Sequence, residues 1–415
     1  MISRKLLYAV LIVMFTKTTA AQEDSLYKNW KHKKNIFTLG FYKQPGEDSM
    51  VDVWDGINRI LGIKHTHQDE KVLEKPHYSI LPGFDYQLNT GFGAVVVSNL
   101  VLPPTKNSSN KSVIYLEGQV TQKKQAVAQL VSNLWFSGSK FNLSSNWTLM
   151  RFPQNDYGMG IQNSLTKFDA INYSNLKLHQ TLSTKIGKES YAGIGFNFDY
   201  HWNIVDTTSV NKPVYGFAQY GLSKSSISSG IVFSYIYDSR RQIVNPVPGS
   251  SYLNISMRNN LKFLGSNSNW SNLLLDFRKY VAFPNGSKNI LAFWSYNTLN
   301  LHGSAPYLDL PSTASDPFRN VGRGYIQNRF RGKSLISQEA EYRFGITENG
   351  FLGGVIFGNI QSIANPDGRF SRFIPACGAG IRIKYNKKSN TSMAFDYAIG
   401  KDGSRGFFLN LGEVF

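Results

Sequence analysis

An all-β fold, a transmembrane antiparallel barrel, is what this sequence predicts, and three observations carry the prediction. Apolar and polar residues alternate through one segment after another. Near the C-terminal end Cys377, Ala379, Ile381, Ile383 and Tyr385 alternate with Gly378, Gly380, Arg382, Lys384 and Asn386, and Met393, Phe395, Tyr397 and Ile399 repeat the rhythm around Asp396. Successive side chains on a strand point to opposite faces, so each such segment has one apolar and one polar face. The second observation is an export signal: Arg4 and Lys5, an apolar core from Leu6 to Phe15, then the small residues Thr19-Ala20-Ala21. The third is that, beyond this signal, no apolar run reaches the roughly 18 residues that a membrane-spanning helix needs. An exported chain of two-faced strands without a spanning helix describes a closed sheet, with lipid outside and water within.

Composition narrows the function classes. Net charge is +18, aromatics make up 14% and mean hydropathy is −0.27. The basic residues are dispersed rather than clustered, and many fall at inward positions, among them Lys177, Lys185, Arg258, Arg278, Arg343, Arg382 and Lys384. They suit a lumen lining and contacts with outer-membrane lipids and lipopolysaccharide. No aromatic–basic recognition motif accompanies them, so nucleic acid is not an expected partner. A single cysteine, Cys377, excludes an intrachain disulfide, and its position on the apolar face makes it a packing residue. His65 and His67 are too few to hold a metal, and neither a metal nor a cofactor is expected.

The elements follow in chain order. Residues 1–21 read as a signal peptide cleaved after Ala21. Residues 22–77 do not alternate; they are basic from Lys28 to Lys34, and Val51 to Leu61 reads as a short amphipathic helix. A stretch of about 55 residues is marginal for an independent domain, so a periplasmic tail or plug element is expected there. The barrel then occupies 78–415. Turn signals divide it into about sixteen strands, the even number such barrels favour: 78–88, 91–102, 112–121, 125–136, 142–151, 173–185, 190–202, 226–238, 250–260, 269–282, 288–300, 334–345, 351–361, 374–387, 391–399 and 405–415. Ala192, Ile194, Phe196, Phe198, Tyr200 and Trp202 alternate with Gly193, Gly195, Asn197, Asp199 and His201. Ala340, Tyr342 and Phe344 alternate with Glu339, Glu341 and Arg343. Each polar set is costly in lipid and must face inward. If the chain enters from the periplasm, the long connections 152–172, 203–225 and 301–333 all fall outside, and the C-terminal end falls at the periplasmic rim.

One connection identifies a family. Asn320-Val321-Gly322-Arg323-Gly324-Tyr325 precedes the twelfth strand, which carries Gln338-Glu339-Ala340-Glu341-Tyr342-Arg343-Phe344. Tyr237-Asp238-Ser239-Arg240 with Pro248-Gly249 forms a turn between the eighth and ninth strands. The chain closes on Phe407, Leu409, Leu411 and Phe415 at alternating positions, interrupted by Glu413. Together these features resemble the BamA/TamA-type superfamily of outer-membrane assembly and transport barrels, the bacterial surface antigens.

The resemblance implies that the sixth external loop folds into the lumen and sets an arginine–glycine–aromatic tip, here Arg323, Gly324 and Tyr325, against the wall. Glu339 and Glu341 point inward on the adjoining strand, and a buried guanidinium needs such acceptors. Where the family often has a further aspartate this chain reads Phe357-Gly358-Asn359, leaving Asn359 as an uncharged partner. Asp238, Arg240, Pro248 and Gly249 are the expected periplasmic turn motif. Phe407, Leu409, Leu411 and Phe415 are the expected signal to barrel-assembly machinery, which would insert the protein.

The family's larger members carry periplasmic POTRA modules, each needing more residues than 22–77 provides. The resemblance therefore implies a short form in the bacterial outer membrane, with protein partners in that membrane or the periplasm. Its role would lie in outer-membrane protein assembly, translocation or biogenesis, as a subunit or accessory of a larger complex. The alternatives are a passive outer-membrane channel and, more remotely, an outer-membrane hydrolase. His179, His201 and His302 show no spacing that joins them to a nucleophile and an acid, and no enzymatic activity is expected.

Overall fold

Seventeen strands form one antiparallel sheet in the computed structural model, which describes residues 50–61, 76–87, 90–103, 112–208, 215–216, 220, 223–240, 242–387 and 390–415. The signal segment 1–21, most of 22–77 and the His65–His67 pair lie outside the described residues. The strands are β1 (His77–Gln87), β2 (Gly91–Leu102), β3 (Ser112–Thr121), β4 (Ala126–Phe136), β5 (Phe141–Arg151), β6 (Gln154–Asp156), β7 (Asp169–Lys185), β8 (Ser190–Asp206) and β9 (Ser226–Asp238). They continue as β10 (Ser251–Asn260), β11 (Trp270–Ala282), β12 (Ile290–Gly303), β13 (Leu335–Gly345), β14 (Leu352–Ile363), β15 (Ile374–Asn386), β16 (Thr391–Gly400) and β17 (Arg405–Leu411).

All sixteen expected strands are present. The extra one, β6, is a three-residue piece that continues β5 and pairs with β7. Strands β7 and β8 run to 17 residues each, longer than expected. Their added ends carry Asp169, Asn172, Asn203 and Asp206, polar residues that break the apolar alternation while the ladder continues. Each long strand pairs with the next, from β1 with β2 to β16 with β17. The first and last strands, β1 and β17, approach within 8 Å. Among the described residues no paired register joins them, so the ring has a seam without a ladder.

The two faces sort as the alternation requires. On β15 and β16 the side chains of Cys377, Ile381, Phe395, Tyr397 and Ile399 are exposed on the outer surface. Arg382, Lys384 and Asp396, one residue out of phase, are buried on the inner side. The inner space also holds a packed apolar core, in which Tyr280, Trp294, Tyr296, Val321, Tyr325, Phe330 and Phe415 form one cluster. Val321, Tyr325 and Phe330 belong to the connection between β12 and β13, so part of the core is supplied by a loop.

The last strand departs from expectation. It ends at Leu411 rather than running on to Phe415. Gly412 takes φ 98°, a left-handed conformation, and a Cβ there would lie 2.6 Å from Val244 Cγ1. The chain turns inward at this point, and the Glu413 amide donates to the Val244 carbonyl at 2.9 Å. Phe415 therefore leaves the outer apolar face and stacks on Trp294, with ring centroids 5.1 Å apart. The break in alternation at Glu413 marks this turn.

At the end opposite the long connections, read as periplasmic, a helix α1 (Val53–Leu61) lies beside the end of β15, with the Val51 amide donating to the Asn349 carbonyl and the Lys387 amide to Asp52. Its start is capped reciprocally: Asp52 Oδ1 accepts from the Asp55 amide at 2.9 Å and Asp55 Oδ2 from the Asp52 amide at 3.0 Å. Lys387 Nζ reaches Asp55 at 2.7 Å, and Trp54 meets Tyr385 edge-on.

The two-faced wall makes a direct prediction. Ile381→Arg, on the outer face near the middle of β15, should destabilise the folded barrel by about 2–4 kcal/mol. Arg369→Ala, at an exposed turn, should change stability by less than about 0.5 kcal/mol. Urea midpoints of protein refolded in lipid, read by heat-modifiable gel mobility, check both.

Candidate functional site: a loop pinned inside the barrel

The connection 304–334 leaves β12 and returns to β13 through the lumen. Its own backbone holds it in shape. The Thr313 amide donates to the Phe330 carbonyl at 2.9 Å and the Ala314 amide to the Val321 carbonyl at 2.8 Å. Asp316 Oδ1 accepts from the amides of Asn320 (2.8 Å) and Val321 (2.7 Å). Burial pushes the Asp316 carboxyl up, and those amide donors pull against the shift.

The loop touches the wall on many sides. Arg319 donates to Gln119 of β3 at 3.2 Å, and Asn328 to Gln154 of β6 at 2.5 Å. Ser228 of β9 donates to Asp309 at 2.6 Å, and Thr313 to Gln361 of β14 at 3.2 Å. The Tyr307 hydroxyl donates to Asp156 at 2.9 Å.

Arg323 sits at the tip, 1% exposed. Its guanidinium is held by three carboxylates from two parts of the wall. Nη2 bonds to Glu339 and Glu341 of β13, and Nη1 donates to Asp396 Oδ2 of β16 at 2.6 Å. The Phe357 ring of β14 lies 3.7 Å from the guanidinium carbon and supplies its π face. Glycines make the convergence possible. Gly324 has φ 101°, and a Cβ there would lie 2.7 Å from that of Ala376. On β15, a Cβ at Gly378 would meet the Phe357 ring. Tyr325 completes the tip: its hydroxyl donates to the Pro375 carbonyl at 2.6 Å and accepts from the Lys401 amide at 2.9 Å.

Two further arginines extend the network toward the periplasmic end. Arg343 donates to Glu341 at 2.8 Å and to the Phe415 carbonyl at 2.9 Å. Arg382 donates to Asp396 at 2.6 Å and to Glu413 at 2.8 Å. Loop tip, wall and C-terminal tail thus share one chain of ion pairs. The basic residues expected to line the lumen are used in the same way elsewhere, as in Arg258 with Asp199 (2.6 Å) and Arg278 with Asp276 (2.7 Å).

The sequence-derived site residues fare unequally. Arg323 meets Glu339 and Glu341, and Gly324 and Tyr325 pack beside it against β15. Asn359 is present but donates to the Arg323 backbone carbonyl at 2.9 Å rather than facing the guanidinium. The third acidic partner is Asp396, which the motif did not indicate. It stood in the sequence as an inward carboxylate on the Ala394-Phe395-Asp396-Tyr397 segment, without anything to place it at the depth of Arg323.

At the opposite end, Arg240 forks onto Asp238 with bonds of 2.9 and 2.8 Å and stacks on Tyr252. Gly249, at φ 85°, donates to the Tyr280 carbonyl at 2.8 Å, and Pro248 lines a cavity at that mouth. Phe407 and Leu411 are exposed on the outer face and Leu409 is half-buried, whereas Phe415 is turned into the lumen.

Two of the histidines sit beside inward carboxylates. His179 bonds Asp199 at 2.9 Å, and Asp199 is also held by Arg258. His201 lies 3.7 Å from Asp309, whose other oxygen takes the Ser228 hydroxyl. Among the described residues no group of three or more His, Cys, Asp or Glu side chains is placed to hold a metal ion.

The site is thus an arginine-tipped loop pinned inside an antiparallel wall of strands. Solved structures agree on the fold. The chain is similar to BamA from Haemophilus ducreyi lacking POTRA domains 1-3, with TM-score 0.51 and 14% identity over 80% of this chain and 68% of that one. It is also similar to CdiB from Escherichia coli (TM-score 0.55, 8% identity, 80% of this chain and 62% of that one). CdiB from Acinetobacter baumannii gives TM-score 0.52 and 8% identity over 82% and 60% of the two chains. The match thus spans about three fifths of either CdiB. No family model matches the sequence, and no curated protein sequence matches it.

Removing the guanidinium leaves three carboxylates buried together. Arg323→Ala should therefore cost about 3–5 kcal/mol, seen as a lower yield of heat-resistant folded barrel from membranes. Glu341 serves two arginines and Glu339 one, so Glu341→Gln should be the more damaging of the two single changes. Thermal melting of the purified variants in one detergent tests that order.

Proposed function

We propose that this chain acts in outer-membrane protein assembly or translocation, as a subunit or accessory of a larger complex in the bacterial outer membrane. The observation that carries the reading is the pairing of a pinned lumen loop with a seam between β1 and β17 that shows no ladder among the described residues. A barrel whose interior is plugged and whose wall is weakest at one line suits handling of polypeptide at that line better than flow through its centre. Kinship in fold with BamA and CdiB supports the same reading. Partners are then proteins of the outer membrane or periplasm, with α1 and the periplasmic turns as the accessible contact region.

A passive channel fits less well, because the loop 304–334 crosses the lumen and bonds to β3, β6, β9, β14 and β16. We also assign no enzymatic activity, since the inward carboxylates of the site are engaged by arginines.

Affinity purification from membranes in mild detergent should recover outer-membrane or periplasmic assembly proteins in stoichiometric amounts, and depletion should alter the outer-membrane protein profile. A protein that purifies alone and whose loss leaves that profile unchanged would overturn the proposal. In planar bilayers the wild type should show no stable open pore, while Arg323→Ala should show larger and fluctuating conductance.

A further inference from the structure

The periplasmic mouth of the barrel contains a cavity of about 380 Å³ that the loop does not fill. Its walls are the inner faces of β13, β14 and β15 at their periplasmic ends. Its lid is the turn 242–248, with Pro246 and Pro248, and the inturned tail at Glu413 closes one side. The charges around it are one-sided: Lys288, Arg343, Arg382, Lys384 and Lys387 line it, against Glu413 as the one acidic lining residue.

Several of these cations are already engaged. Lys387 is paired with Asp55, and Arg382 divides itself between Asp396 and Glu413. Arg343 is held by Glu341 and the Phe415 carbonyl, yet its Nη1 is buried with no hydrogen-bond partner. Lys384 differs from the rest. It is 9% exposed, and its ammonium donates to Asn390 Oδ1 at 2.7 Å, with no carboxylate within 4 Å among the described residues. An ammonium has three donors, so this buried cation is left with one neutral acceptor. Glu413 is its counter-charge, beyond ion-pair distance and already bonded to Arg382; a buried charge so weakly countered is costly, and an anion in the cavity offsets that cost.

We propose that this cavity is a binding site for a small anionic group, a phosphate ester, with Lys384 as its principal cation and Arg343 in support. The volume exceeds that of a bare ion and accommodates a phosphate together with a glycerol-sized substituent. A soluble phosphate ester and a phospholipid headgroup share this chemistry. The enclosure by the turn 242–248 and by the tail at Glu413 makes occupancy a way to stiffen the periplasmic turn against the end of the chain. The site is independent of the role proposed above.

The test uses the full-length protein purified in a nonionic detergent, with calorimetric titration of sn-glycerol 3-phosphate, and of short-chain phosphatidylglycerol below its micelle concentration, at constant ionic strength. Saturable one-to-one binding of either probe is expected, weakened at least tenfold in Lys384→Met and unchanged in Arg369→Met. Binding of both probes identifies the phosphate ester as sufficient; binding of the lipid alone assigns the site to a headgroup. Equal affinity in wild type and Lys384→Met, or heat that scales only with ionic strength, overturns the proposal. So does failure of both probes to bind the wild type, a result that holds even if Lys384→Met does not fold.

Discussion

The interior of this barrel is organised around one buried guanidinium. Arg323 has lost its water, and a charge in that position persists only where counter-charges and hydrogen bonds replace hydration. Three carboxylates do so, two from β13 and one from β16, with β14 and β15 between them. The dependence runs both ways. Without the arginine, Glu339, Glu341 and Asp396 would stand as like charges in a confined space. Without the carboxylates, the Arg323 guanidinium would stand buried with no counter-charge.

That reciprocity spreads through shared partners. Glu341 also holds Arg343, and Asp396 also holds Arg382, and both of these arginines meet the C-terminal tail. The tail is there because Gly412 ends the last ladder and turns the chain inward. Phe415 then stacks on Trp294 and joins the aromatic cluster to which the loop contributes Tyr325 and Phe330. Loop insertion, wall charge and tail placement are therefore parts of one arrangement. The result is a barrel stiffened by ion pairs across β13–β16, while among the described residues no ladder joins β17 and β1.

The two ends of the lumen consequently differ. Toward the long connections the loop occupies the lumen and bonds to the wall on several sides. Toward the periplasm the ion-pair network gives way to a cavity with excess positive charge, roofed by the turn that follows β9. The role proposed above places its events at the seam and at the periplasmic face, where α1 and the short turns are presented.

The wall was legible from residues alone because lipid imposes a rule with period two: each strand must show apolar atoms outward, and the inward polar set follows. The positions of Ile381 and Arg382, or of Phe395 and Asp396, needed no knowledge of neighbours. The Arg323 tip was read through the resemblance that its motif carries, and Glu339 and Glu341 followed as the inward acceptors on the adjoining strand. Asp396 was not read, because its meeting with Arg323 depends on the relative depth of strands separated by many residues and by two intervening strands. Asn359 kept its place but changed its partner, from the guanidinium to the backbone carbonyl, a distinction that only the path of the loop decides. The inward turn of Phe415 was hinted at by Glu413 in an apolar rhythm, yet its destination was set by Trp294 and Arg343, residues far away in the chain. Face and strand were thus properties of local sequence, whereas depth, pairing across the lumen and the cavity at its mouth arose from the register by which the ring assembled.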